Sequence, residues 1–141
     1  MCDSSGVRLL AALVALVALV ACLAVASAQA ASSPIAGVYQ LKITKTPGLA
    51  GTWQISFSPT GAYAVSRAPK TKTILIAGAS STSGHRLFLT DKTGPGSCVG
   101  AAAKGTYTWS LSGKSLKLTK VKDTCSGRPD VLGGGTWTKI G

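Results

Sequence analysis

The chain has 141 residues, with fifteen Lys and Arg, four Asp, no Glu and one His, for a formal net charge of +11. Once its apolar N-terminal segment is set aside, about 111 residues remain, enough for one core and too few for two. Three carboxylates and one histidine in that part leave little material for acid–base catalysis or a histidine-based metal site, whereas the charge draws the chain to anionic surfaces.

Residues 1–30 carry a basic Arg8, an apolar run from Leu9 to Val25 and small residues at Ala26-Ser27-Ala28 and Ala28-Gln29-Ala30. A basic start, an apolar centre and an A-x-A end form the pattern of a secretory signal peptide, so residues 31–141 are expected as a secreted single domain. Leu19-Val20-Ala21-Cys22 offers an alternative: a lipobox in which Cys22 is acylated and anchors the protein to a membrane. The chain stays apolar after Cys22, which favours the free form, and no membrane span is expected in the mature protein. Loss of Arg8 and Asp3 with the leader leaves the net charge at +11.

One phrase recurs through the rest: Gly37-Val38-Tyr39, Gly51-Thr52-Trp53, Gly61-Ala62-Tyr63, Gly105-Thr106-Tyr107 and Gly135-Thr136-Trp137. Glycine at positive φ ends a tight turn, and the aromatic two residues later points to the core side of the new strand. Tyr39, Leu41 and Ile43 alternate with polar neighbours as a half-buried strand, and Pro47-Gly48 turns the chain. Trp53, Ile55 and Phe57 form the next strand, Ser58-Pro59-Thr60-Gly61 turns again, and Tyr63 and Val65 face inward. Thr73 to Ala77 gives a fourth strand, Ser80 to Gly84 a serine-rich loop, and Leu87 and Leu89 the inner face of a fifth. Residues 91–100 are a long turn held by Cys98. Tyr107, Trp109 and Leu111 alternate along a sixth strand, and Ser112-Gly113 closes a hairpin onto Leu116 and Leu118, with a bulge or strand end at Val121. Cys125 to Gly135 is a Gly- and Pro-containing loop, and Thr136 to Ile140 the last strand.

About eight strands joined by short turns pair with their neighbours, and closure into an up-and-down antiparallel β-barrel removes the exposed edges. The fold class is therefore all-β, with a two-sheet β-sandwich as the alternative. Cys98 to Trp109 mimics the spacing of the first immunoglobulin cysteine and core tryptophan, but Cys125 comes too early to be the second cysteine. Cys98 and Cys125, the two cysteines beyond the leader, predict a disulfide that stabilises the domain by about 3–4 kcal/mol.

A short internal echo links Ser83-Gly84-x-x-Leu87-x-Leu89-Thr90 to Ser112-Gly113-x-x-Leu116-x-Leu118-Thr119, each followed by a cysteine. Gly51-Thr52-Trp53 resembles the G-x-W that opens the barrel of lipocalins. Gly105-x-Tyr107-x-Trp109, Gly113-x-x-Leu116-x-Leu118 and Asp123-x-Cys125-x-Gly127-Arg128 resemble small secreted bacterial lipocalin-like proteins. The resemblance implies a calycin-like barrel over residues 36–138 and, through it, ligand binding. The chain differs from lipocalins proper in its short length, in a G-x-W on the second strand, and in the lack of a helix pattern before the last strand.

The expected function is non-catalytic binding of a small, largely apolar ligand in a barrel lined by Trp53, Phe57, Tyr63, Tyr107, Trp109 and Trp137. Arg128 is added from a polar cluster with Asp123 and Asp130 around Cys125. Those rings also suit a barrel filled by its own side chains, and Arg128 a loop-shaping salt bridge. His85 sits in a turn without a catalytic partner motif, and no enzyme, metal or cofactor is expected. The alternative function is a structural or adhesive protein that holds anionic wall polymers through its lysines, densest from Lys114 to Lys122. No nucleic acid is expected as a partner, because the chain would have to meet it after export.

Overall fold

The computed structural model describes residues 31–68 and 73–141; the leader, Cys2, Cys22, Lys70 and Lys72 lie outside these residues. Residues Ala31–Gly141 form one compact unit. Its strands are β1 (Gly37–Ile43), β2 (Gly51–Phe57), β3 (Ala62–Ala68), β4 (Ile74–Ser83), β5 (Arg86–Thr93), β6 (Lys104–Ser112), β7 (Ser115–Asp123) and β8 (Thr136–Lys139). They close in sequence order into an eight-stranded, up-and-down antiparallel barrel. The seam is β1 with β8, where Tyr39 pairs with Lys139 and Gln40 with Thr138.

Period-two alternation fixes which face is inside. Tyr39, Leu41, Ile43, Trp53, Ile55, Phe57, Tyr63 and Val65 are buried, and the residues between them are more exposed. One end of the barrel, the turn end, carries tight connections such as Gly84-His85 and Gly113-Lys114. The other, the loop end, carries residues 44–50, 94–103 and 124–135.

Four local readings change. The serine-rich loop is strand: Ser80, Ser81, Thr82 and Ser83 pair with Leu89, Phe88, Leu87 and Arg86, because hydroxyl side chains leave the backbone ladder intact. The segment before β8 contains one helical turn, α1 (Arg128–Leu132), with Pro in its first turn and Val131 and Leu132 buried over the loop end. Residues Gly100–Ala103 form a 3₁₀ turn, η1. Gly37, Gly51 and Gly61 do take positive φ, but Gly105 and Gly135 do not. At Gly105 the requirement is space: a Cβ would lie 2.6 Å from Asp123 Oδ2 and 2.9 Å from Arg128 Nη2. Of the bulge or strand end expected at Val121, the bulge is present, since Thr106 pairs with Lys122 and Tyr107 with Lys120, leaving Val121 as the extra residue of a strand that runs on to Asp123.

Candidate functional site

The barrel axis is occupied by its own side chains. Tyr39, Tyr107, Ile55, Leu87, Leu116 and Trp137 are all 0% exposed. Their polar tips are engaged within the protein: Tyr39 Oη donates to Ile35 O (3.1 Å), Trp53 Nε1 to Leu49 O (2.7 Å) and Trp137 Nε1 to Leu132 O (3.0 Å). An eight-stranded barrel has little room beyond this.

Around Arg128 the loop end is built from two matching units. Tyr63 Oη donates to Asp91 Oδ1, whose Oδ2 accepts the backbone N–H of Cys98 at 2.9 Å. Tyr107 Oη donates to Asp123 Oδ2, whose Oδ1 accepts the backbone N–H of Cys125 at 2.9 Å. Cys98 and Cys125 are joined by a disulfide, with Cα atoms 5.8 Å apart. Arg128 lies between the two units with every guanidinium N–H used. Nε and Nη2 donate to Asp123 (2.7 Å each), Nη1 to Asp91 Oδ1 (2.6 Å) and Ala103 O (3.0 Å), and Nη2 also to Ala102 O (3.0 Å). Burial would lower the Arg128 pKa, but its bonds to Asp123 and the charges of Asp123 and Asp91 outweigh that and raise it. Burial would likewise raise the Asp123 pKa, but the bonds from Arg128, Tyr107 and the Cys125 N–H hold it below the ordinary carboxylate range. Tyr63 and Tyr107 are pushed up by burial first and by their aspartates second.

This cluster differs from the one expected around Cys125. Asp130 is exposed on α1, and Asp91 takes the second place at Arg128. The sequence signal for Asp91 was the internal echo: each echoed strand continues to an aspartate that holds the N–H of a following cysteine. Among the described residues two cations lie over aromatic rings, Arg67 at 4.6 Å from the centre of Trp53 and Lys139 Nζ at 5.8 Å from that of Tyr39. Asp91, Cys98 and Cys125 group metal-ligating residue types, but the sulfurs are bonded to each other.

Against the core sits a cavity of about 190 Å³ at the loop end, partly open and lined chiefly by Trp53, Val65, Leu75, Ile76, Val131 and Leu132. Of the seven expected contact residues, Trp53 and Arg128 line it. Tyr107 and Trp137 are sealed in the core. Phe57 and Tyr63, also buried, edge a separate shallow concavity beside Gly37 and Val38. Trp109 is half-buried, its ring 5.3 Å from that of the turn residue His85, and among the described residues its Nε1–H is the buried side-chain group without a hydrogen-bond partner.

No protein-family model, curated protein or solved structure matches the chain. The closed eight-stranded antiparallel barrel is consistent with a lipocalin-like architecture. No helix among the described residues is long and apolar enough to cross a membrane, and the disulfide fits an oxidising, extracellular setting.

Proposed function

We propose that this protein is an exported, non-catalytic, lipocalin-like module that binds a small apolar ligand at the loop end of its barrel. One observation carries the reading: the cavity of about 190 Å³ between the core and α1, walled by aliphatic side chains and the Trp53 ring. A dry, apolar cavity of about 150 Å³ is enough to hold benzene. The ligand class is therefore a single ring with a short alkyl substituent, or a branched alkyl group of similar size. A long acyl chain lying along the barrel axis does not suit a core this full. Arg128 has no donor left for a ligand, so recognition rests on shape and apolar contact. If such a void were sealed and empty, the missing contacts would cost on the order of 4–5 kcal/mol at about 24 cal/mol per Å³. An occupant recovers part of that.

The test is a thermal-shift and tryptophan-fluorescence titration of the oxidised protein with toluene, indole and a branched C6 alcohol. Expected are saturable stabilisation and a change in Trp53 emission, both insensitive to salt and both abolished by Val131→Phe, which fills the cavity. Absence of any shift from a folded protein, or an unchanged response in Val131→Phe, refutes the reading.

A further inference from the structure

Strand alternation sorts the charges of β5, β6 and β7 by sign. The acids of these strands, Asp91 and Asp123, turn inward and are held by Arg128. The cations Arg86 and Lys92 on β5, Lys104 on β6, and Lys117, Lys120 and Lys122 on β7 are all exposed. Among the described residues the remaining acid, Asp130, lies on α1, and both ion pairs belong to Arg128. Lys120 pairs with the inward Tyr107, so the cations that alternation places on one outer face of these three strands are Arg86, Lys92, Lys104, Lys117 and Lys122, with no carboxylate among them. The lysines that the sequence spreads over residues 92–122 meet here because β5, β6 and β7 are hydrogen-bonded side by side.

The face has further chemistry. Thr90, Thr106, Thr108, Ser110 and Thr119 lie on the same outer side, between the cations. At the loop end, Lys104, Thr106, Lys122 and Thr124 border a concavity of about 650 Å³ with Gly100 and Ala101 of η1. Asp123 also reaches it, but its carboxylate is taken up by Arg128, Tyr107 and Cys125. Lys117 and Lys122 lie on one strand about 17 Å apart at ~3.3 Å per residue, so the charge runs along β7.

We propose that the outer face of β5–β7 is a docking surface for a linear phosphodiester polymer with polyol or sugar linkers, with one repeat seated between Lys104 and Lys122. This surface is separate from the apolar cavity and does not depend on it. Four of the five cations are lysines, compact point charges that suit a phosphodiester approached from any direction. The planar fork that matches a carboxylate is arginine's, and only Arg86 supplies one here. The interleaved hydroxyls suit a hydroxyl-bearing linker. Bases need aromatic stacking platforms, and Phe88 is the one aromatic on this face. A closed barrel curves away from a flat membrane on either side of a strand, whereas a flexible chain can follow the charge along β7.

The experiment is a binding isotherm of the oxidised protein with a fluorescently labelled glycerol phosphate polymer, across a series of salt concentrations. Expected is binding at low salt with log K falling linearly against log salt. Lys104→Gln with Lys122→Gln is expected to weaken binding about 25-fold, near fivefold for each lysine, and to reduce the salt slope by about 1.4. Lys42→Gln, on β1 outside the β5–β7 face, is expected to leave affinity and slope unchanged, and near-UV circular dichroism to be the same for all three proteins. No binding at low salt overturns the proposal, as does an equal loss in Lys42→Gln. Equal affinity for polygalacturonate, for a single-stranded oligonucleotide or for anionic vesicles also overturns it, because the face would then be a generic cationic surface.

Discussion

Replacing Arg128 with Met keeps most of the aliphatic stem and removes five donors and a charge. It leaves Asp91 and Asp123, both with fully buried side chains, facing each other without the cation that neutralises them. Breaking a buried pair by deleting one partner costs about 3–5 kcal/mol, and here one deletion strands two carboxylates and the carbonyls of Ala102 and Ala103. The loss at neutral pH is therefore expected at the upper end of that range. For a domain of about 111 residues this lowers Tm by roughly 15–20 °C. Urea unfolding followed by tryptophan fluorescence, repeated from neutral to acid pH, is the assay. In the native protein the Asp123 pKa is depressed, so its contribution is present above the ordinary carboxylate range and lost as pH falls through the depressed value. In Arg128→Met the burial that raises the Asp123 pKa is no longer opposed by the guanidinium, and protonation relieves the stranded carboxylate. The difference between the two proteins must therefore shrink on acidification. A loss below about 1 kcal/mol, or one that stays constant with pH, would refute the view that Arg128 holds the loop end together.

Other consequences are as direct. All three tyrosines of the chain are shifted above their usual pKa, Tyr39 by burial and Tyr63 and Tyr107 by burial and their aspartates. Stability is fully present below about pH 10 and falls above it, and ultraviolet titration should show no tyrosinate near pH 10, then a single step that coincides with unfolding. Cys98→Ser with Cys125→Ser is expected to lower unfolding free energy by about 3–4 kcal/mol in urea, the entropy of the closed loop; a change near zero would show that Asp91 and Asp123 fix those loops unaided. Gly105→Ala pushes a methyl into Asp123 and Arg128, both pinned by hydrogen bonds, and is expected to cost about 1–3 kcal/mol by thermal denaturation.

The apolar alternation of β1, β2, β5 and β6, the turn residues between them and the even cysteine pair were legible from the chain, because each is a local property with a period or a count. They gave the barrel, its strand number and the Cys98–Cys125 bridge. Ser80 to Ser83 misled for the same reason: local polarity suggests a loop, while pairing with residues 86–89 makes a strand. The partners of Arg128 were hidden, since Asp91 stands far from it in sequence and becomes its neighbour only when β5 and the segment after β7 meet at one end of the barrel. The same holds for the cavity, whose walls come from strands β2, β3 and β4 and from the loops at that end, and for the lysines, whose convergence depends on strand order. Sequence by itself determined the periodicity, the turns, the charge and the disulfide, because these need only local spacing or a count along the chain. Closure of the barrel decided what fills the interior, which acids are neutralised inside and which face the cations share, because those outcomes depend on residues that only folding brings together.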